Sequence, residues 1–152
     1  MSDIPFRPME GVLSITLGAV GQPGARVFYL QVVSLSSGVQ SLLLEKAQAL
    51  LLAEQIDVVL NALAKQDSAL SVSAGSTAPA LQPPTAIVFR AGSFGLQYDP
   101  VADLVALEIF ELLGENQGTP DSLIVWATRQ QLRTLSDTAQ RVARRGLAST
   151  YN

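Results

Sequence analysis

The first half of the chain alternates between hydrophobic and polar residues, which predicts β-strands. In residues 12–18, Leu13, Ile15 and Leu17 alternate with polar neighbours, the pattern of a half-buried strand. Residues 26–34 are rich in β-branched and aromatic side chains and predict a second, more deeply buried strand. Residues 39–45 predict a third. The intervening segments 18–25 and 36–38 contain the glycine, proline and serine residues typical of turns.

The period of the pattern changes after residue 46, which predicts a helix over residues 47–64. Hydrophobic side chains then recur three or four positions apart, so they share one helical face; they are Leu52, Ile56, Val59, Leu60 and Leu63. Residues 66–84 are rich in serine, alanine and proline and almost free of charge. That composition predicts a flexible surface linker between two units.

The second half repeats the order of the first. Strands are predicted over 87–98, with a bulge at Gly92, over 104–112 and over 123–127. A helix follows over 128–145. Thr128 and Gln131 have the spacing of a capping box at its start, and Gly146 is suited to end it.

The two halves also match residue by residue. An offset of 77 relates Leu17 to Phe94 and Pro23 to Pro100, and an offset of 82 relates Leu44 to Trp126. The sequence therefore predicts a single α+β domain over residues 1–152, built from duplicated βββα units at 11–65 and 85–146. Pairing the two units would give a six-stranded, mostly antiparallel sheet with two helices. Residues 1–10 are expected to form an irregular arm.

Composition narrows the possible chemistry. The chain has 152 residues, with 0 Cys and 0 His, which excludes thiolate nucleophiles, Ser-His-Asp triads and zinc sites built on Cys or His. A net charge of −3 disfavours nonspecific binding to polyanions. Neither a basic, apolar leader nor an uninterrupted apolar run of about 20 residues is visible. We therefore expect a cytoplasmic protein without membrane insertion.

Several short strings resemble a family of uncharacterised bacterial proteins, the domain of unknown function 3090. They are Gly21-Gln22-Pro23-Gly24 with Arg26, Phe28, Leu30 and Gln31; Leu44-Glu45-Lys46 with Gln48; Gly95-Leu96-Gln97-Tyr98-Asp99; and Arg129-Gln130. The resemblance covers most of residues 18–146 outside the linker, and it implies no catalytic residue. Longer members of the family continue into a Cys-rich tail that resembles a zinc-binding segment, whereas these 152 residues contain no cysteine.

Candidate catalytic groups do not converge in the sequence. The glycine string at 18, 21 and 24 leads into a strand, so it predicts a hairpin turn and not a phosphate loop. Glu108 and Glu111 fall on opposite faces of one strand. Lys46 could act as a Schiff-base or general-base lysine only if it were buried, and a surface pair with Glu45 is the favoured interpretation. Arg26 and Arg90 could bind an anion if they shared a face, but a cross-strand carboxylate partner such as Glu108 is the favoured interpretation. Asp99 is expected to cap its own turn. We expect no catalytic residue, metal or cofactor.

The last predicted helix carries five of the ten basic residues. Its exposed side is predicted to be a partner-binding surface formed by Arg133, Arg141, Arg144 and Arg145, since guanidinium groups bind carboxylates and are enriched at interfaces. The alternative is that the helix dipole and an ion pair between Arg133 and Asp137 account for these residues.

Three functions follow from these features. The first is a nonenzymatic binding or assembly module that forms an oligomer or joins a protein partner, because only 15% of the residues are charged. The alternatives are a single-stranded nucleic-acid-binding protein, which the acidic charge disfavours, and an enzyme that uses carboxylate, lysine or tyrosine chemistry.

Overall fold

A computed structural model describes residues 12–22, 24–73, 77–83, 86–115 and 117–148 of the chain. The predicted arm at 1–10 lies outside the described residues. The elements, in chain order, are β1 (Ser14–Val20), β2 (Val27–Ser34), β3 (Gly38–Leu44), α1 (Lys46–Gln66), a 3₁₀ turn (Ser68–Leu70), β4 (Ile87–Asp99), β5 (Leu104–Glu111), β6 (Ser122–Ala127) and α2 (Arg129–Ala148).

The six strands form one sheet in sequence order, β1 to β6. The pairs β1–β2, β2–β3, β4–β5 and β5–β6 are antiparallel, and β3–β4 is parallel. The parallel pair joins the last strand of the first βββα unit to the first strand of the second. β1 and β6 are the two edge strands of this order. The backbone N–H of Val12, just before β1, donates to the carbonyl of Trp126 in β6 at 2.9 Å. The two edge strands therefore approach each other, and the sheet is strongly curved. The predicted α+β fold with repeated βββα units is confirmed.

Each helix packs against the first strand of the opposite unit. α1 lies on β4, α2 lies on β1, and the two helices pack on each other. Alternate strand residues such as Leu17, Leu30, Leu42 and Leu107 face the helices and are fully buried with Leu52 and Leu132 from them. Because each unit's helix covers the other unit, neither could bury its apolar face alone, and the two units share one hydrophobic core.

Local details follow the sequence closely, with one exception. Ala91 pairs with Glu111 and Ser93 with Phe110, so Gly92 is the extra residue of a bulge, as predicted. A Cβ at Gly92 would lie 2.9 Å from the Cα of Leu112, which explains the glycine. The N–H of Thr128 donates to Gln131 and the N–H of Gln131 to Thr128, so the capping box is confirmed. The predicted stop at Gly146 is wrong, because α2 continues to Ala148.

The ladders correct the residue offsets between the two units. Leu17 pairs with Leu30, and Leu96 pairs with Leu107. Leu17 therefore corresponds to Leu96 and not to Phe94, because the loop between β4 and β5 is two residues shorter than the one between β1 and β2. At the third strand, Leu44 corresponds to Ala127, since Phe28 pairs with Leu44 and Val105 with Ala127. The predicted match of Leu44 to Trp126 placed them on the wrong relative faces.

One described helix, α1, is long and apolar enough to cross a membrane by composition. The sequence pattern predicted no such segment, because charged and polar residues interrupt the apolar run. Six residues of α1 are buried in the hydrophobic core; they are Ala49, Leu52, Ala53, Ile56, Leu60 and Leu63.

Candidate interaction surfaces

Arg133, the first residue of the predicted arginine surface, lies at the seam between the two helices. Its Nη1 donates to Oδ1 of Asp57 on α1 at 3.0 Å and lies 3.6 Å from Oδ1 of Asp137, one turn along α2. Only 18% of the side chain is exposed. Asp57 also accepts a bond from Ser136 at 2.6 Å and one from Gln140 at 3.1 Å. Arg133 therefore contributes to helix packing inside the domain.

Arg141 and Arg144 remain on the exposed side of α2. Neither forms an ion pair with any residue that the structure describes. The side chain of Arg145 lies outside the described part of the chain. The exposed part of the predicted surface thus consists of Arg141 and Arg144, three positions apart. Both lie near the C-terminal end of the helix, where the helix dipole also favours cations.

Arg129, at the start of α2, holds the β4–β5 hairpin. Its Nε and Nη2 donate to the two carboxylate oxygens of Asp103 at 2.8 and 3.0 Å, and the hydroxyl of Tyr98 donates to the same carboxylate at 2.8 Å. Asp103 is the single non-glycine residue of the described chain with a positive φ, 53°. The third guanidinium nitrogen donates to the carbonyl of Leu70 after α1.

In this cluster, the ion pair between Arg129 and Asp103 favours the charged form of both side chains. The hydrogen bond from Arg129 is the main cause that lowers the pKa of Asp103, although partial burial opposes it. The bond to Asp103 raises the pKa of Arg129. Burial first, and then the neighbouring carboxylate, raise the pKa of Tyr98. The cluster is an internal anchor, since its polar atoms bind one another. Sequence reasoning missed this pairing, because 26 residues separate Asp103 from Arg129.

The segment between α1 and β4 crosses the outer face of β1 and β2, the side of the sheet that the helices leave uncovered. The amide of Gln31 on β2 donates to the carbonyl of Gln82 at 2.7 Å and accepts from the N–H of Gln82 at 2.8 Å. Thr16 on β1 donates to the carbonyl of Pro79 at 2.8 Å. Leu81 packs over Gly18, where a Cβ would lie 3.1 Å from the leucine side chain. The predicted linker at 66–84 is thus bound to the first unit at residues 79–82, while the carbonyls of Leu70 and Ser73 accept bonds from Arg129 and Gln130 of α2.

Exposed hydrophobic side chains concentrate at one end of the sheet. Six of the eleven most exposed large hydrophobic residues in the described chain lie where β1, β3 and β4 begin and where β2 and β5 end; they are Leu13, Leu35, Val39, Ile87, Val88 and Leu112. Leu35 is 75% exposed and Leu13 57%. The other five lie at the opposite end or on α1. We call the six residues the apolar end.

Charge is almost absent from the segments that carry five of these six residues, whereas Glu111 adjoins the sixth, Leu112. Between residues 11 and 44 the only charged residue is Arg26, and residues 68–89 contain none. On the surface of a soluble protein, charged side chains normally lie between the exposed hydrophobic ones and prevent a continuous apolar patch. A surface with little charge and several large apolar side chains is therefore typical of an interaction site. These two nearly uncharged ranges are the sequence feature that indicates the apolar end. The composition of the whole chain does not show where in the chain the charge is missing.

The candidate acidic and basic groups do not converge. Glu111 accepts the backbone N–H of Asp121 at 3.1 Å, and Glu108 lies on the outer face of β5 opposite Gly95. Arg90 pairs with Glu45 at 2.9 Å, so the predicted cross-strand partner Glu108 is wrong. Asp99 caps its turn by accepting the N–H of Val101 at 2.9 Å, as predicted. Within the described residues, no group of three His, Cys, Asp or Glu side chains could hold a metal ion.

Comparison with known proteins places the chain in one family. The family model described as protein of unknown function (DUF3090) matches residues 6–150. No curated protein matches the chain, and no solved structure matches it. Two residues of the strings that resemble this family, Gln31 and Arg129, anchor one segment to another in the structure, and Tyr98 of a third string binds Asp103 within its own hairpin. The match spans nearly the entire sequence, and the chain therefore belongs to the DUF3090 family.

Proposed function

We propose that this protein is a nonenzymatic binding or assembly module, which associates with a second copy or with another protein subunit through the apolar end of its sheet. The observation that carries the proposal is the clustering of Leu13, Leu35, Val39, Ile87 and Val88 at the ends of adjacent strands. Exposing these side chains to water costs free energy that association would recover, at roughly 25 cal/mol per Å² of apolar area.

The exposed arginines of α2 provide a second, polar contact. Arg141 and Arg144 bind no described carboxylate within the chain, so their guanidinium groups are available for acidic groups of a partner. The acidic character of the chain itself, with a net charge of −3, supports another copy or an acidic protein as the source of those carboxylates.

Three of the described arginines are used inside the chain, which weighs against a nucleic-acid-binding protein. Arg90, Arg129 and Arg133 each bind a carboxylate of the same chain. A single-strand binder needs a continuous basic groove with exposed aromatic rings. Trp126 is only 2% exposed, so it offers no stacking surface.

The proposed compartment is the cytoplasm. The absence of cysteine from the chain fits a reducing environment, in which disulfides contribute nothing to stability.

Sedimentation velocity over a concentration series tests the proposal. If the apolar end mediates self-association, the mean sedimentation coefficient rises with protein concentration through the micromolar range. High salt should weaken the association only in part, because the apolar contact is insensitive to screening whereas the contacts of Arg141 and Arg144 are screened. A monomer at all concentrations, with no protein retained from a lysate in a pull-down, would contradict the proposal.

A further inference from the structure

The two βββα units correspond to each other at the end of the sheet opposite the apolar end. In the first unit Phe28 on β2 pairs with Leu44 on β3, and in the second Val105 on β5 pairs with Ala127 on β6. The correspondence continues into the helices, because their buried faces coincide at the offset that relates Leu44 to Ala127. This offset relates Ala49, Leu52 and Ile56 of α1 to Leu132, Leu135 and Ala139 of α2. Residues just beyond the strand pairs can therefore be compared position by position.

The residues two positions outside these strand pairs differ in charge between the units. The first unit has Arg26 and Lys46 there. The second unit has Asp103 and Arg129 at the equivalent positions, and the Arg129 guanidinium binds the Asp103 carboxylate at 2.8 and 3.0 Å. With a cation at both positions, the first unit cannot form this internal ion pair.

Neither cation of the first unit has another partner in its place. The side chain of Arg26 is partly buried, and its Nε is fully buried without a hydrogen-bond partner among the described residues. Neither Arg26 nor Lys46 forms an ion pair with any described residue, so the carboxylate partner predicted for Arg26 is absent. A buried N–H group without an acceptor costs free energy, and two cations at adjoining positions repel each other. An anion between them would relieve both penalties.

The carboxylate next to Lys46 in sequence does not supply that anion. Glu45 binds Arg90 at 2.9 Å, and its side chain does not cap the start of α1. The equivalent residue of the second unit, Thr128, takes part in a capping box at the start of α2. The start of α1 thus lies beside the two cations without a cap from Glu45, and the helix dipole there adds to their preference for a negative charge.

We propose that Arg26, Lys46 and the start of α1 form a binding site for a carboxylate, the group that Asp103 supplies internally in the second unit. Guanidinium and ammonium groups together suit such a ligand, because the arginine fork binds both oxygens and the lysine adds a point charge. The carboxylate belongs to a small molecule or to an acidic side chain of a second copy. Because the site is opposite the apolar end, it does not depend on association through that end.

Titration of the ¹⁵N-labelled full chain with acetate, against chloride at the same ionic strength, tests the proposal. Acetate carries the same carboxylate as an aspartate side chain. The backbone N–H resonances of Lys46 and Ala47 should shift saturably, with a millimolar dissociation constant. Arg26→Asp should weaken this response about tenfold or more and should be at least as stable as the wild type in chloride, because its charges then match those of the second unit. The control Arg141→Asp changes an exposed arginine of α2 and should respond as the wild type does.

Equal shifts in acetate and chloride, or equal responses of the wild type and Arg26→Asp, would overturn the proposal. If Arg26→Asp does not fold, Lys46→Gln replaces it; this variant should bind acetate several-fold more weakly, and unchanged affinity would overturn the proposal. Sedimentation of the wild type with saturating acetate then identifies the source of the carboxylate. Weaker association in acetate than in chloride supports an acidic side chain of a second copy, and unchanged association supports a small carboxylate.

Discussion

Arg133 on α2 and Asp57 on α1 form an ion pair across the helix seam, with 3.0 Å between Nη1 and Oδ1. The carboxylate of Asp57 also accepts bonds from Ser136 and Gln140, so three side chains of α2 converge on one group of α1. These bonds fix the register between the helices. Since each helix covers the opposite unit, they also join the two halves of the domain.

Replacing Asp57 with alanine should destabilise the domain. The change leaves Arg133 and Ser136 without their acceptor at a half-buried position, and hydrogen bonds to a charged group contribute roughly 1–3 kcal/mol. Urea denaturation at pH 7 measures the effect. Asp137→Ala is the matched control, because its contact with Arg133 is 3.6 Å long and more exposed; it should cost less than about 0.5 kcal/mol. Equal losses of stability in the two variants would argue against a stabilising role for the bonds of Asp57 between the helices.

The contribution of Asp103 to stability should depend on pH. Arg129 lowers the pKa of Asp103, and a carboxyl group with a lowered folded pKa stabilises the fold above its unfolded pKa of about 3.9. That contribution is lost as the pH falls through the folded pKa. Asp103→Asn should therefore be less stable than the wild type at pH 7, and the difference should shrink below about pH 4.

Asparagine is the suitable replacement at this position, because it tolerates the positive φ of 53°. Chemical denaturation at pH 7, 5 and 3 gives the comparison. Asp121→Asn serves as a control, since the Asp121 carboxylate binds no described residue. A difference between wild type and Asp103→Asn that is the same at all three pH values would mean that backbone or packing effects, and not the charge, explain the loss.

Gln31→Leu should release the connecting segment from the outer face. The variant keeps the volume of a side chain that is 1% exposed but removes both bonds to Gln82, at a cost of roughly 1–3 kcal/mol. Hydrogen exchange at the Gln82 amide should accelerate, and elastase should cut the alanine-rich segment faster. Gln22→Leu, in the exposed β1–β2 turn, should change neither rate. Unchanged protection of Gln82 in the Gln31 variant would show that the clamp is not what holds the segment.

The exposed arginines should matter for association and not for folding. In the double variant Arg141→Glu and Arg144→Glu, the melting temperature should change by less than a few degrees, because surface charges contribute little to stability. Association should weaken by roughly 1–3 kcal/mol if the guanidinium groups are desolvated in the complex. Analytical ultracentrifugation and thermal denaturation of the same preparation separate the two effects. A lower melting temperature with unchanged association would assign these arginines to the fold.

Much of the fold could be predicted from the sequence because local patterns determine it. The alternation around Ile15, the capping box at Thr128 and the bulge at Gly92 each follow from residues close together in the chain. The register between the units could not be predicted, since it depends on a two-residue difference in hairpin length. Nor could the pairing of Arg133 with Asp57, 76 positions away, because it requires knowing that α1 and α2 are neighbours. Side-chain partners over such distances are set by topology.

The most direct measurement of the central claim compares the sedimentation of the wild type with Leu35→Glu and Val101→Glu. Leu35 lies at the apolar end and is 75% exposed, and Val101 lies at the opposite end and is 88% exposed, so neither charge should disturb the core. We predict that the wild type and Val101→Glu associate equally at protein concentrations of tens of micromolar. Complexes with typical micromolar dissociation constants are populated in this range. Leu35→Glu should associate at least tenfold more weakly, about 1.4 kcal/mol. Equal association of all three proteins would contradict assembly through this end of the sheet, and a wild type that remains monomeric would contradict self-association.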